Sequence, residues 1–234
     1  MTSLAEQSVH DLGGPMSVLT RQKQDHVKLD RLLSELAASA PAHQDRVLRR
    51  IYRLVFPHAF AEEAVLWPVL RRVLPDGPEL TLQVEGEHQE VNELVTALES
   101  MSLDDPDRPA TLSRLVDVLR EDVRDEEDEL LPRLQHAVSP AQLTRLGLAW
   151  EAVRRVAPTR AHPVVARRPP GNSLSAVPLS VIDRLRDRLD GAIQQDSGRG
   201  RPALATASRL LTTLSHGVEE FPPFKRGEHP ATHR

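Results

Sequence analysis

The chain has 234 residues, of which 27% are charged and 39% are hydrophobic, and its net charge at pH 7 is −4. These values are ordinary for a globular chain. It contains no cysteine, which excludes disulfides, thiolate metal sites and cysteine nucleophiles and leaves histidine and carboxylate as the strong metal ligands. It shows neither a signal-peptide pattern nor a run of ~20 apolar residues, so we expect a cytoplasmic protein without a membrane partner.

The first part of the chain predicts two long helices after a short leader. Residues 1–16 have no strong pattern and are interpreted as the leader. Apolar residues at helical spacing predict a helix over residues 17–38. A second helix is predicted over residues 44–72, with kinks at Pro57 and Pro68, because each proline removes a backbone donor and crowds the preceding turn.

Three further helices follow along the chain. The third is predicted over residues 79–100 and the fourth over residues 109–136. Ser139 followed by Pro140 predicts the start of a fifth helix, since serine is a favourable N-cap and proline fits the first helical position. This helix is expected to end near Ala157.

The predicted fold class is all-α, with an antiparallel up-down four-helix bundle and a fifth helix over residues 17–157. Residues 158–234 are predicted to form a proline-rich linker and two short helices, over 180–190, ending at Gly191, and over 202–216. This C-terminal extension holds 12 Lys and Arg against 7 Asp and Glu. We favour a tail folded onto the acidic body over an arm for an acidic partner such as nucleic acid, because its arginines alternate with aspartates.

The predicted bundle contains an internal repeat. Residues 58–70 align with residues 122–134 through a shared Glu-Glu-x-x-Leu-x-Pro-x-Leu pattern. The repeat extends to the preceding helices, where residues 25–36 align with residues 87–98 and both segments begin with an acid-His pair. Each half is therefore a helix with an acid-His pair, followed by a helix with a potential ligand four residues before a glutamate.

The repeat predicts one site with ligands from both halves. Positions i and i+4 share a helix face, so two such hairpins around a pseudo-twofold axis place their ligands at one level of the core. Burying these polar groups together is costly unless a cation compensates, and imidazole with carboxylate suits iron or manganese, and also zinc. Two carboxylates between histidine-bearing sites suit a bridged dinuclear centre. The six candidate ligands are His26, His58, Glu62, His88, Asp122 and Glu126.

This pattern resembles the hemerythrin-like family, also called HHE cation-binding domains, which are four-helix bundles that hold a non-haem di-iron centre. The resemblance covers about residues 17–165 and rests on the acid-His pairs of the first and third helices and the glutamate pairs of the second and fourth. It implies iron as the cofactor, with two irons per chain expected and one as the alternative. It also implies three terminal imidazole ligands and two bridging glutamates, namely His26, His58 and His88, and Glu62 and Glu126.

The chain departs from the five-histidine oxygen carriers of that family at two positions. Asp122 stands where the fourth helix of the family carries histidine, and Asn92 stands where oxygen carriers have a second histidine on the third helix. Three outcomes are open for Asp122: it ligates a metal directly, it holds a metal-bound water, or one metal is lost. A carboxylate-rich site favours ferric iron, so we do not expect a simple reversible oxygen carrier.

The resemblance implies a di-iron protein that reacts with or senses O2, peroxide, NO or iron status. Whether the chain is an enzyme is left open; if it turns over, the expected reaction is peroxide or oxygen reduction. The alternative is a degenerate bundle with one or no metal, acting as an interaction or regulatory protein through its basic tail. A third possibility is mononuclear metal binding for storage. Nucleic acid is disfavoured as a partner, and no protein partner is indicated.

The remaining polar candidates carry weaker signals. Glu63 and Glu127 lie one position past the ligands and are expected to support them or to lie at the surface. Glu85 is a weak additional ligand candidate. Seven histidines match no motif position and are expected at the surface, namely His10, His43, His136, His162, His216, His229 and His233.

Overall fold

The computed structural model describes residues 1–195 and 201–232, and over these residues it contains helices and turns but no strand. The all-α prediction is therefore confirmed for the described part of the chain. None of the helices in that part is long and apolar enough to cross a membrane. The α-helices found there are α1 Val18–Ala38, α2 Pro41–Ala61, α3 Trp67–Val73, α4 Gly77–Ser100, α5 Arg108–Asp125, α6 Leu131–Ala137, α7 Pro140–Val156, α8 Gly171–Gln195 and α9 Arg201–Glu219.

Two of the described helices begin at serine N-caps, and the cap at Ser139 is the one that the sequence predicts. The Ser17 hydroxyl accepts a hydrogen bond from the Leu19 N–H at the start of α1. At the start of α7, Ser139 and Gln142 form a capping box, in which each side chain bonds the backbone of the other residue. These contacts satisfy backbone donors that have no partner within the helix.

Each of the two longest predicted helices is interrupted by a single turn of π-helix, called a π-turn below, rather than by a simple proline kink. In both copies of the repeat the residue after the π-turn donates to the carbonyl five residues earlier: Trp67 to Glu62, and Leu131 to Glu126. The next residue in each copy is a proline, which has no N–H with which to continue the regular pattern. The wider turn lets both Glu62 and Glu63 be buried, at 0% and 1% exposure, although they are sequence neighbours.

Buried apolar side chains form two clusters, one toward each end of the helices. In the described chain α1 packs against α2, α4 packs against α5, and α7 packs against both α1 and α2. The first cluster includes Leu29, Leu33, Val55, Val91 and Leu119. The second includes Leu19, Trp67, Val84, Leu130 and Trp150.

A polar layer separates these two clusters. On α1 it lies between Leu19 and Leu29, and on α4 it lies between Val84 and Val91. The same change from one cluster to the other occurs along α2 and α5 into their π-turns. All the predicted ligands fall within this layer, so the apolar packing at both ends positions the site.

Residues 1–16 pack onto the helices. Leu4 and Leu12 are fully buried in the second cluster. The Lys23 ammonium donates to the carbonyl oxygens of Ala5 and Gln7, each at 2.7 Å. The segment that follows them passes close to α7 at Gly147.

Gly147→Ala is expected to destabilise the protein by about 1–2 kcal/mol, because a Cβ there would lie 2.2 Å from the Met16 carbonyl oxygen and 2.8 Å from the Val18 nitrogen. This clash outweighs the gain of about 1 kcal/mol that alanine normally brings in a helix interior. Gly86→Ala is the matched control within α4, where a Cβ meets nothing within 4 Å and should stabilise. Urea denaturation measures both changes, and stabilisation by both would contradict the close approach at Gly147.

The C-terminal extension is more helical than predicted. Helix α8 begins at Gly171 rather than near residue 180, directly after Pro169-Pro170. It also continues through Gly191, whose cost of about 1 kcal/mol is offset by packing of α8 along α9. The predicted linker is correspondingly shorter.

Candidate metal centre

Three histidines from three helices direct their Nε2 atoms toward two glutamates. His58 Nε2 lies 3.1 Å from Glu62 Oε1, and His26 Nε2 lies 3.2 Å from Glu126 Oε2. His88 Nε2 lies 3.7 Å from Glu62 Oε2 and 4.0 Å from Glu126 Oε1. Each glutamate therefore spans the space between His88 and one other histidine.

These side chains form two groups that could each hold a metal ion. One group contains His26, His58 and Glu126, and the other contains Glu62, His88 and Glu126. All five residues are buried, and within each group the ligand atoms lie within 4.8 Å of one another. The shared Glu126 places the two groups side by side.

The inward-facing atoms of this cluster lack hydrogen bonds. Both carboxylate oxygens of Glu62, both of Glu126, and His26 Nε2 are buried without a hydrogen-bond partner among the described residues. The short approaches between them lack hydrogen-bond geometry. Burial raises the pKa of Glu126 to about 8, and the nearby carboxylates of Glu62 and Asp122 add to the shift. Buried carboxylates without donors are costly, and a cation is the chemistry that fits them.

The outward Nδ1 atom of each histidine contacts a carboxylate. Such a partner orients the ring and favours the tautomer with a free lone pair on Nε2, which is the form that ligates a metal. Glu63 and Glu127, each of which follows a predicted ligand in the sequence, are both such partners. The Nδ1 contacts are His26 with Glu127 at 2.9 Å, His88 with Glu63 at 3.0 Å, and His58 with Asp25 at 3.3 Å.

The surrounding carboxylates favour the protonated histidines. Burial alone would lower the pKa of His26, but Glu126 and Glu127 outweigh burial and raise it to about 9. Neighbouring carboxylates likewise overcome burial and raise the pKa values of His58 and His88 well above the usual range. Since a metal binds neutral imidazole, metal binding at these residues would release protons.

Asp122 is the position at which the two halves of the repeat carry different potential ligands. Its Oδ1 lies 3.4 Å from His88 Nε2, but it lies outside both ligand groups found in the described chain. It faces Glu87, whose pKa is raised to about 7, first by burial and then by the charge of Asp122. Glu87 is the repeat counterpart of Asp25, which contacts His58. By the repeat, Glu87 is therefore the carboxylate expected to support a histidine at position 122.

The sequence did not predict the contacts that the C-terminal extension makes beside this centre. Arg167 lies 4.0 Å from the Glu63 carboxylate and donates to the Gln89 side-chain oxygen at 2.9 Å. The His162 backbone N–H donates to the Asn92 side-chain oxygen at 2.9 Å. Asn92, the second departure noted in the sequence, thus anchors the segment that follows α7. Nothing in the sequence pattern indicated that Arg167, far along the chain, would make these contacts.

Glu85 is not part of the metal-capable groups. Its fully buried carboxylate accepts hydrogen bonds from Arg71 and from Arg168, the latter at 2.6 Å. The charge is therefore balanced by two guanidinium groups from different parts of the chain. The ligand interpretation of Glu85 is replaced by an ion-pair role.

The prediction for His162 is also wrong, because this side chain is buried rather than at the surface. Its two ring nitrogens contact Asp183 and Glu219. His229 is half-buried, and His233 lies outside the described residues. The other histidines without a motif position are exposed as predicted, namely His10, His43, His136 and His216.

Comparison with known proteins agrees with this geometry. Residues 17–134, just over half of the chain, match the Hemerythrin HHE cation binding domain family. An uncharacterized hemerythrin-like protein of Schizosaccharomyces pombe is 26% identical over 134 residues, which cover 57% of this chain and 66% of that protein. A DNA nickase of a Nostoc species is 27% identical over 133 residues, covering 56% and 37% respectively.

The chain thus matches less than two thirds of the length of either relative. No solved structure matches it at a significant level. The family match spans the helices that carry all six predicted ligands and ends at the close of the second repeat copy. The chain belongs to the hemerythrin HHE cation-binding domain family.

Proposed function

We propose that the chain is a non-haem di-iron protein that reacts with or senses O2, peroxide, NO or iron status. The observation that carries this proposal is the pair of buried ligand groups joined by Glu126, in which the carboxylate oxygens of Glu62 and Glu126 have no hydrogen-bond partner among the described residues. Nitrogen and oxygen donors without thiolate suit iron. In this proposal the ligands project from an antiparallel, up-down four-helix arrangement.

The residues of the chain would have different roles at the site. The three histidines would be terminal ligands, oriented through their Nδ1 contacts, while Glu62 and Glu126 would bridge. The irons would supply redox chemistry when bound. The apolar clusters at both ends exclude water, and a carboxylate-rich donor set favours ferric iron.

A small cavity beside the ligands supports a small molecule as the reacting partner. Its volume is about 30 Å³, and its lining includes the three histidines and Asp122. The rest of the lining is mainly apolar and includes Leu54, Val91 and Leu119. A cavity needs only about 10–15 Å³ on the same measure to hold one water molecule, so this cavity has room for a ligand of two or three atoms.

The alternative function is a bundle with one or no metal that acts through its basic tail. Asp122 favours this alternative, because it lies outside both ligand groups. The tail contacts weigh against it, since Arg160 pairs with Asp187 at 3.0 Å, Arg168 pairs with Glu85, and the Arg184 guanidinium donates to the backbone of α7. These internal pairs support a tail folded onto the body.

The test is iron loading of the full chain. We expect anaerobic ferrous loading followed by exposure to air to leave about two irons per chain, with charge-transfer absorption of ferric iron. Iron is counted by mass spectrometry and the absorption recorded on the same sample. One iron per chain would support mononuclear binding, and no retained iron would reject the proposal.

Asp122→His is expected to increase iron retention. A histidine there would repeat His58, and Glu87 is placed to contact it as Asp25 contacts His58. Carboxylate partners of ligating histidines change metal affinity by about 10–100-fold, so we expect at least about tenfold tighter binding of the weaker iron. The readout is iron per chain after dialysis against a chelator. Asp117→His, at an exposed position on α5, is the control, and an equal gain there would contradict the proposal.

A further inference from the structure

A second cleft lies between the bundle and the C-terminal extension. Its volume is about 270 Å³, and it shares no lining residue with the cavity at the metal centre. Four arginines line it, contributed by α2, the start of α5, the segment after α7, and α8. They are Arg49, Arg108, Arg160 and Arg186.

The carboxylates in this cleft are already engaged by two of these arginines. Asp45 accepts from Arg108 at 2.5 Å, and Asp190 accepts from Arg160 at 2.5 Å. Glu99, the third carboxylate of the lining, lies 3.8 Å from Arg160. The carboxylates of the described lining are therefore engaged mainly by Arg108 and Arg160.

Arg186 is the guanidinium that these carboxylates do not satisfy. Its Nε is buried without a hydrogen-bond partner, and the side chain makes no ion pair with the described residues. Burial lowers its pKa, and the positive charge of Arg160 lowers it further. The Nε atoms of Arg108 and Arg160 are also buried without an acceptor in the described chain. Buried cationic donors without acceptors are costly, and an anion would satisfy them.

We propose that this cleft binds a small oxyanion, the phosphate or carboxylate group of a small molecule, with Arg186 as its principal contact. The planar guanidinium group matches both kinds of oxyanion and is the side chain best suited to them. Apolar walls from Leu48, Leu98 and Met101 leave space for an organic portion. The cleft volume lies near the lower end of the range for small-molecule sites, which is about 300–1,000 Å³. This site is separate from the proposed metal function.

The test is calorimetric titration of the full chain, with and without bound iron, in a buffer of physiological chloride concentration. The three probes are inorganic phosphate, glycerol 3-phosphate and citrate. We expect saturable binding of at least one probe in both preparations. Preference for the two phosphates would assign a phosphate group, and preference for citrate would assign carboxylates.

Arg186→Gln is expected to weaken this binding by about tenfold or more, because it removes a charge-assisted contact. Since Arg186 makes no hydrogen bond to the described residues, this variant should fold, which circular dichroism checks. Arg188→Gln is the matched control, because it removes the same charge from an exposed position on the same helix outside the cleft. No saturable binding of any probe to the wild type, or equal weakening by both variants, would overturn the proposal.

Discussion

Replacing Glu126 by glutamine is expected to lower iron affinity by more than about 100-fold. Glu126 belongs to both groups of ligand atoms, so one substitution removes an anionic donor from each. Changes to residues that only support ligands already cost about 10–100-fold in metal affinity, and loss of a shared ligand should exceed that range. Glutamine keeps the size of the side chain, so the loss would reflect ligand chemistry rather than a cavity.

Ferrous titration and iron per chain measure this effect, with circular dichroism to check that the variant is folded. Glu129→Gln is the matched control: it removes the same charge from the same π-turn, but its side chain is 60% exposed. The control should bind iron like the wild type. If Glu126→Gln retained two irons per chain, the assignment of Glu126 as a bridging ligand would be wrong.

The second large effect concerns His162, which connects three parts of the C-terminal extension. Its Nδ1 lies 2.8 Å from Glu219 Oε1 of α9, and its Nε2 lies 3.0 Å from Asp183 Oδ2 of α8. Asp183 also accepts from the backbone N–H groups of Thr159 and Arg160. Burial would lower the pKa of His162, but Asp183 and Glu219 outweigh it and raise the pKa to about 9.

We therefore expect His162→Gln to destabilise the protein by about 3 kcal/mol near pH 6, and by much less above about pH 9. The folded-state pKa of about 9 exceeds the unfolded value of 6.5. The stabilisation is therefore complete below about pH 6.5 and is lost as the pH rises through about 9. The measurement is the free energy of unfolding of wild type and variant across this range.

The histidines of the metal centre also have raised pKa values. Subtracting the free energy of unfolding of the variant from that of the wild type at each pH isolates the contribution of His162. His136→Gln, at an exposed position on α6, is the control and should show no such pH-dependent difference. A destabilisation by His162→Gln that is constant with pH would contradict a protonated His162 in the folded protein.

The five helices predicted over residues 17–157 and the candidate ligands could be predicted from the sequence, because both depend on short-range patterns, although the π-turns that divide two of these helices could not. Apolar spacing and caps such as Ser17 and Ser139 place the helices, and an i to i+4 pair places two ligands on one face. The internal repeat then joined the two halves into one site. The structure brings five of the six predicted ligands into two adjoining groups.

The departure at Asp122 shows where sequence and structure each contribute. The repeat alone identified the mismatch with His58. The structure adds that Asp122 is close enough to Glu87, the repeat counterpart of Asp25, for its charge to raise the pKa of Glu87. Position 122 thus carries an aspartate where the other half of the repeat carries a histidine, and the carboxylate of Glu87 lies nearby.

Other features depend on residues far apart in the chain, so no local pattern could predict them. The first π-turn buries two consecutive glutamates, Glu62 and Glu63, both of which face His88 on another helix, whereas the sequence pattern suggested only kinks at the prolines of the second predicted helix. His162 is buried because Asp183 and Glu219 meet it from two later helices. Among the described residues Arg186 has no ion-pair partner, because Asp45 pairs with Arg108 and Asp190 with Arg160. The sequence by itself determined the family, the helices of the bundle and the identity of the candidate ligands. Only the tertiary structure decided which carboxylate supports which histidine and which arginine has no carboxylate partner among the described residues, because both depend on contacts between distant residues.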